Sequence, residues 1–127
     1  MGITDASHAE SSSDGTQVVI PLSCSLDGTS IEVTLTAGSM LARLHGGARG
    51  VTEFTTCNYG LDPGHQQLAS RGGMAISAID DTGEVRAIER VDHPFFVGTL
   101  YQPQLRSTVD APHPVWLGFV HACRVGK

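Results

Sequence analysis

Two short runs of alternating side chains, joined by a tight acidic loop, constrain the fold of this chain more than any other feature. Residues 74–79, MAISAI, and residues 84–90, EVRAIER, flank the turn DDTG at 80–83. Alternation with period two around a short glycine-containing loop predicts a β-hairpin. Similar short runs, separated by Gly, Asp and Pro turns, recur along the chain. We therefore predict an α+β fold with about six or seven strands, mostly in hairpins, and two short helices.

The runs outside the hairpin predict further strands. Residues 30–36 alternate apolar and polar side chains, which indicates a half-buried strand. Pro21 interrupts the apolar run 17–26 and removes an N–H donor, so an edge strand or a bent strand is expected there. Residues 95–101 include a stretch that is apolar on both faces, which is typical of a central strand. Residues 51–61 predict another strand, and residues 39–46 predict either a strand or a short helical turn.

Two segments carry helix signals. Asp62 and Pro63 form a capping residue and a first helical position, and the helix is expected to end near the glycines at 72 and 73. The second helix begins at Pro114 and closes the chain. Four of its side chains are spaced as one apolar stripe, which predicts a face turned toward the core: Trp116, Phe119, Val120 and Cys123.

Composition narrows the class of protein. The chain has 127 residues, 40% of them hydrophobic, and a net charge of −5 with eight scattered basic residues. A nucleic-acid binder normally shows a basic stripe, so nucleic acid is not expected as a partner. No run approaches the length of a membrane span and no signal peptide is visible, so we expect no membrane and a cytoplasmic location. Residues 1–16 are predicted to form a flexible polar lead-in, and residues 17–127 a single domain.

Neither a metal nor a cofactor is predicted. The three cysteines lie far apart without a CxxC pair, so buried reduced thiols are expected at Cys24, Cys57 and Cys123. His93 and His113 each precede a proline, and we interpret them as turn residues rather than as a metal pair. The acidic residues of the hairpin loop are expected to be solvated: Asp80, Asp81 and Glu84.

The stretch 101–104, YQPQ, places two glutamines on either side of a proline where a predicted strand ends. Together with DHPFFV at 92–97 and with HPVWLGFV at 113–120, it resembles the end of the glutaminase domain of CTP synthase, a class I glutamine amidotransferase. The resemblance extends back over nearly the whole chain and implies that residues 17–127 are the C-terminal half of an α/β amidotransferase domain. The chain is most similar to a CTP-synthase-related branch with a Tyr-Gln-Pro-Gln turn.

The resemblance also implies that the site is degenerate. In the active family this turn carries a histidine base and its glutamate partner, and the matching positions are Gln102 and Gln104. An amide has no basic nitrogen and cannot take a thiol proton. The family's cysteine nucleophile lies upstream of the matched segments, and the arginine that binds the glutamine carboxylate matches Asn58. The resemblance therefore implies no glutaminase activity for this chain alone.

The candidate ligand-binding residues are those of the two segments that line the family's cleft: Cys57, Asn58, Tyr59, Tyr101, Gln102 and Gln104. For the glutamines, capping of nearby backbone is the alternative to ligand binding. Two functions stay open for this chain, beside the possibility that a full-length parent is an amidotransferase that uses unfamiliar residues. The first is a pseudoenzyme module, acting as a fragment, a homo-oligomer or a partner of a chain that supplies the N-terminal half. The second is a repurposed enzyme, a lyase, isomerase or cyclase, that binds a small neutral ligand.

Overall fold

The structure, a computed structural model, describes residues 2–22 and 26–125. In chain order its strands are β1 (Ala6–His8), β2 (Thr16–Pro21), β3 (Thr29–Leu35), β4 (Gly50–Thr55), β5 (Tyr59–Leu61), β6 (Met74–Asp80), β7 (Val85–Arg90) and β8 (Val97–Thr99). The helices are α1 (Met40–Leu44), α2 (Gln66–Arg71) and α3 (Pro114–Val125). Short 3-10 turns span Pro63–His65 and Pro103–Arg106. The α+β class is confirmed, and the described residues form eight strands and three helices, where about six or seven strands and two helices were predicted.

The strands form two sheets. The larger has the order β4-β3-β6-β7-β8 and is antiparallel throughout. The smaller has the order β1-β2-β5. The predicted hairpin is β6–β7, and the predicted alternating strand is β3, in which Ile31, Val33 and Leu35 are buried while their neighbours are exposed. These residues join side chains of α1 and α3 in one core, so the large sheet supplies the platform on which the other elements pack.

Of the two possibilities for residues 39–46, the strand is wrong and the short helical turn is right, because the segment is helix α1. Ser39 caps it, and its hydroxyl oxygen accepts the N–H of Ala42 at 3.0 Å. Leu41 and Ala42 are buried next to each other, which a helix with one face on the core allows and a half-buried strand does not. The cap at Ser39 favours a helix here, although the apolar and polar side chains of the segment also alternate as in a strand. The helix start predicted at Asp62 is confirmed, since Asp62 Oδ1 accepts the N–H of Gly64 at 2.9 Å.

The small sheet contradicts the edge position expected around Pro21. β2 lies between β1 and β5, and Pro21 is its last residue, where a missing N–H costs little. β1 lies inside the predicted lead-in and pairs in parallel with β2. Sequence patterns missed this strand because backbone pairing holds it rather than apolar side chains. The predicted run 51–61 is likewise divided, with β4 in the large sheet and β5 in the small one.

The end of the chain departs most from expectation. β8 is at the edge of the large sheet, not at its centre. On α3 the predicted apolar stripe is exposed rather than buried, with Trp116 43% and Phe119 48% accessible, and the buried side chain is that of Val115. Helical spacing found an apolar face but could not say whether this chain covers it.

Two polar expectations also need correction. Asp80 is buried rather than solvated and pairs with the buried guanidinium of Arg86, with Nη2 2.7 Å from Oδ2. Of the thiols, Cys57 is half-buried and Cys123 is exposed, while Cys24 lies outside the described residues. The longest described helix has 12 residues, and no helix in the described ranges has the length and apolar character needed to cross a membrane.

Candidate functional site

The turn that carries the two glutamines is fixed to the strand segment beside it. β8 ends at Thr99, and the chain then enters the 3-10 turn in which Pro103 is buried. Gln102 donates its backbone N–H to the carbonyl of Phe54 at 2.9 Å, and its side-chain Oε1 accepts the N–H of Thr56 at 2.7 Å. The Gln102 amide oxygen therefore caps neighbouring backbone, which is the alternative to ligand binding considered above.

Gln104 has a different environment. Its side chain is exposed, and its carbonyl accepts the N–H of Ser107 at 3.4 Å within the turn. Its amide is therefore accessible to solvent, whereas that of Gln102 is engaged through its oxygen. Two residues of the same type, two positions apart, present different hydrogen-bonding capacity to a ligand.

A cavity of about 560 Å³ lies between this turn and helix α3. Its polar side comes from the Gln102 and Gln104 segment, and its apolar wall is mainly aromatic, from residues that include Tyr101, Phe95, Trp116 and Phe119. The volume is within the range of small-molecule pockets. Of the described residues that line it, none belongs to the 57–59 segment, so the structure places only part of the predicted candidate set around one cavity.

Residues 57–59 instead connect the two sheets. The Cys57 thiol lies 3.4 Å from the carbonyl oxygen of Tyr59. Asn58 Oδ1 accepts the N–H of Leu26 at 3.0 Å, and the Tyr59 ring packs on that of His8 with centroids 5.3 Å apart. These contacts hold the segment in place between the two sheets.

Tyr101 links the cavity to a buried polar cluster that we call the Glu53 cluster, formed by His45, Glu53, Tyr101 and His113. Glu53 Oε1 lies 3.0 Å from Nε2 of His113, and the two side chains are almost entirely buried. The rings of His45 and His113 meet edge to face, with centroids 5.4 Å apart. Burial, and then the charge of Glu53, raises the pKa of Tyr101 well above its usual range, so this phenol stays protonated.

Burial also affects the histidine at the end of α1. Desolvation, reinforced by the nearby His113, lowers the pKa of His45, and Glu53 opposes this shift. His93, the other histidine considered with His113, is exposed, and its Nδ1 accepts the N–H of Phe95 at 3.2 Å. The interpretation of His93 as a turn residue agrees with this geometry, whereas His113 is part of the Glu53 cluster.

Sequence reasoning missed the Glu53 cluster. Its members come from a helix end, a strand, the second residue after a strand and a helix start, and only the fold brings them together. One signal was present: Glu53 shares a strand face with Val51 and Thr55, so a carboxylate occupies an inward position of a strand.

The chain was compared with known proteins, and no family model matches it. It is 33% identical over 94 residues to the CTP synthase of Caulobacter vibrioides, covering 73% of this chain and 17% of that protein. It is 30% identical over 138 aligned positions to the CTP synthase of Caldivirga maquilingensis, covering all of this chain and 25% of that one. The chain thus spans a quarter or less of the length of these relatives.

Two solved structures share the fold of this chain. The glutaminase domain of Trypanosoma brucei CTPS, solved with bound acivicin, superposes with a TM-score of 0.89 at 25% identity, covering 95% of this chain and 51% of that one. A putative GMP synthase component from Thermoplasma acidophilum shares the fold, with a TM-score of 0.60 at 14% identity, over 84% of this chain and 48% of that one.

These matches define a class I glutamine amidotransferase fold. Within that class, the chain is of the CTP-synthase type, and it matches about half of the glutaminase domain that superposes on it.

Proposed function

We propose that this chain is an amidotransferase-like module that does not hydrolyse glutamine by itself. The observation that supports this most is the turn at 102–104, where amides occupy the positions at which the resemblance expects a base and its carboxylate. The oxygen of Gln102 is already engaged by the N–H of Thr56. Cys57 lies between two strands and Cys123 on α3, so neither occupies a strand-to-helix elbow. Loss of a general base alone typically forfeits about 10²–10⁴ in rate.

A glutaminase assay tests this proposal. The purified chain should release no ammonia from glutamine above the blank, with an active CTP synthase as the positive control. Q102H/Q104E should also stay inactive alone, because no nucleophile is restored. Glutamine turnover by the unaltered chain that disappears in C57S or C123S would contradict the proposal.

We further propose that the module works with a complementary N-terminal half, supplied by the same polypeptide or by another chain. Its support is the exposed apolar face of α3, together with the edge position of β8. About half of the matched glutaminase domain has no counterpart in these residues, since the chain covers 51% of it. Light scattering and limited proteolysis test this: a compact, protease-resistant monomer would remove the need for a partner.

A cytoplasmic location stays a prediction.

The cavity favours one second candidate, a repurposed site for a small neutral molecule. A ligand would stack on the aromatic wall and hydrogen-bond to the free amide of Gln104. Screening neutral fragments by NMR should find binders whose affinity falls in Q104A and not in Q67A, a matched change of an exposed glutamine on α2. Equal losses in the two variants, or no binders, would exclude this use of the cavity.

A further inference from the structure

We propose that His45, Glu53 and His113 form a binding site for a divalent transition-metal ion such as Zn²⁺. One ligand atom from each residue lies within 4.8 Å of the other two. The residues come from three elements, since His45 caps the end of α1, Glu53 lies in β4 and His113 precedes α3. The ion would link His45 and Glu53, which are close in the chain, to His113, which lies 60 positions after Glu53. This proposal does not depend on whether the chain hydrolyses glutamine.

Unpartnered buried atoms provide a second, independent observation. Glu53 is 2% exposed, and its Oε2 has no hydrogen-bond partner among the described residues. The same holds for the buried Nε2 of His45 and for the hydroxyl of Tyr101. Buried polar atoms in proteins are almost always paired, so three such atoms in one cluster indicate a missing occupant.

The charge of the occupant follows from the tautomer of His113. Its Nδ1 accepts the N–H of Val115 at 3.2 Å, so the ring proton lies on Nε2 and is donated to Glu53. A doubly protonated ring would direct Nδ1–H at that same N–H, so this geometry corresponds to a neutral His113. The buried carboxylate of Glu53 then lacks a positive partner among the described residues, and a cation would supply one.

The donor set selects the kind of cation. Two imidazoles and one carboxylate suit Zn²⁺ and related ions better than Ca²⁺ or Mg²⁺, which prefer oxygen ligands. Neighbouring ligand atoms in a tetrahedral zinc site are roughly 3.3 Å apart. Glu53 Oε1 and His113 Nε2 are already 3.0 Å apart, so forming the tetrahedral site requires mainly that His45 moves toward them. A water in the fourth position could hydrogen-bond to the Tyr101 hydroxyl.

Metal binding has a specific structural cost. To bind through Nε2, His113 must carry its proton on Nδ1, and it then loses the hydrogen bond from Val115. The N-terminus of α3 should therefore report the bound state. A change of the Val115 amide signal distinguishes this site from an ion bound at the surface.

The experiment uses the full chain, stripped of metal with a chelator and titrated with Co²⁺ and then with Zn²⁺. We expect one ion per chain, the visible absorption of tetrahedral Co²⁺ with displacement by Zn²⁺, a higher Tm and a shifted Val115 amide resonance. E53Q, which keeps the His113 contact and should fold, and H45N should each weaken binding at least about tenfold. H65N and C123S are matched controls, because the Asp62–His65 pair and the exposed Cys123 could bind an ion at the surface.

Absence of 1:1 binding at millimolar Zn²⁺ would overturn the proposal. Binding that is retained in E53Q and H45N, or that disappears in H65N or C123S, would assign the ion elsewhere and equally overturn it.

Discussion

Two buried carboxylates in this protein, those of Asp80 and Glu53, differ in how fully their oxygens are hydrogen-bonded. Asp80 is saturated: Oδ1 accepts the N–H and the hydroxyl of Thr82 and the N–H of Glu84, at 3.0, 2.6 and 3.0 Å. Its Oδ2 accepts Nε of Arg86 at 2.8 Å. Glu53 is as deeply buried, yet its one side-chain partner among the described residues is His113, and its second oxygen has none.

The difference follows from how each group is assembled. Asp80 and Arg86 lie six positions apart in one hairpin, so the turn itself delivers the N–H donors and the guanidinium. Glu53 and His113 are 60 positions apart and meet only when α3 packs onto the sheet. The charge of Asp80 is neutralised within its hairpin and stabilises the local fold. Glu53 lies between elements with one oxygen unpaired among the described residues, and this is the basis of the proposed cation site.

The largest expected effect is at the saturated group. D80N should lower the free energy of unfolding by about 3–5 kcal/mol, because it leaves the buried guanidinium of Arg86 without a negative partner. Urea unfolding followed by circular dichroism measures this loss. D81N, at an exposed position of the same loop, is the control and should remain within about 0.5 kcal/mol of the parent chain. A D80N chain as stable as the D81N chain would show that the pair is not stabilising.

Acid should remove the stabilisation by Asp80. Burial alone would raise the pKa of this carboxyl, but hydrogen bonds from Thr82, Arg86 and Glu84 and the charge of Arg86 outweigh it and hold the pKa below 3.8. The unfolded chain then binds the proton more readily, so stability is fully present above pH 3.8 and falls as the pH drops through the folded-state pKa. A tenfold difference in proton affinity between the folded and unfolded chains corresponds to about 1.4 kcal/mol.

Urea unfolding of the parent chain and of D80N at a series of pH values from 6 to below 3 measures this dependence. The stability gap between the two chains should be constant down to about pH 4 and narrow below it. A gap that does not change with pH would mean that Asp80 is not the titrating group.

The smallest effect is expected in the Glu53 cluster. Y101F removes a buried hydroxyl that has no partner among the described residues, so the free energy of unfolding should change by less than about 1 kcal/mol, toward higher stability. Y59F, in a half-buried ring, is a matched control. A loss above about 2 kcal/mol in Y101F would show that the hydroxyl is hydrogen-bonded in solution, for example through the water invoked above.

Sequence reasoning succeeded where the signal is local. The β6–β7 hairpin and the cap at Asp62 follow from neighbouring residues, and the structure contains both. The YQPQ turn was also found as a contiguous motif, and it lies at the cavity. For residues 39–46 the sequence left strand and short helical turn open, because a five-residue helix offers too few positions to separate the two periods.

The site is predictable only in part for a related reason. Gln102 and Gln104 were identified by their motif, but nothing local shows that the oxygen of Gln102 caps Thr56. The Glu53 cluster depends on contacts that α1 and β4 make with residues much later in the chain. The spacing of the α3 side chains correctly predicted one apolar face. Whether that face is covered depends on the elements that pack around the helix, which the spacing does not show.

Helix α3 is held mainly at one end. Val115, in its first turn, is its buried side chain, and Gly118 permits close approach to Leu44 and Phe95, whereas the later turns expose their apolar side chains. Fraying from the C-terminal end therefore breaks few tertiary contacts and has a low free-energy cost. A surface that covers the exposed side chains of these later turns would oppose this fraying and leave the sheet beneath unchanged.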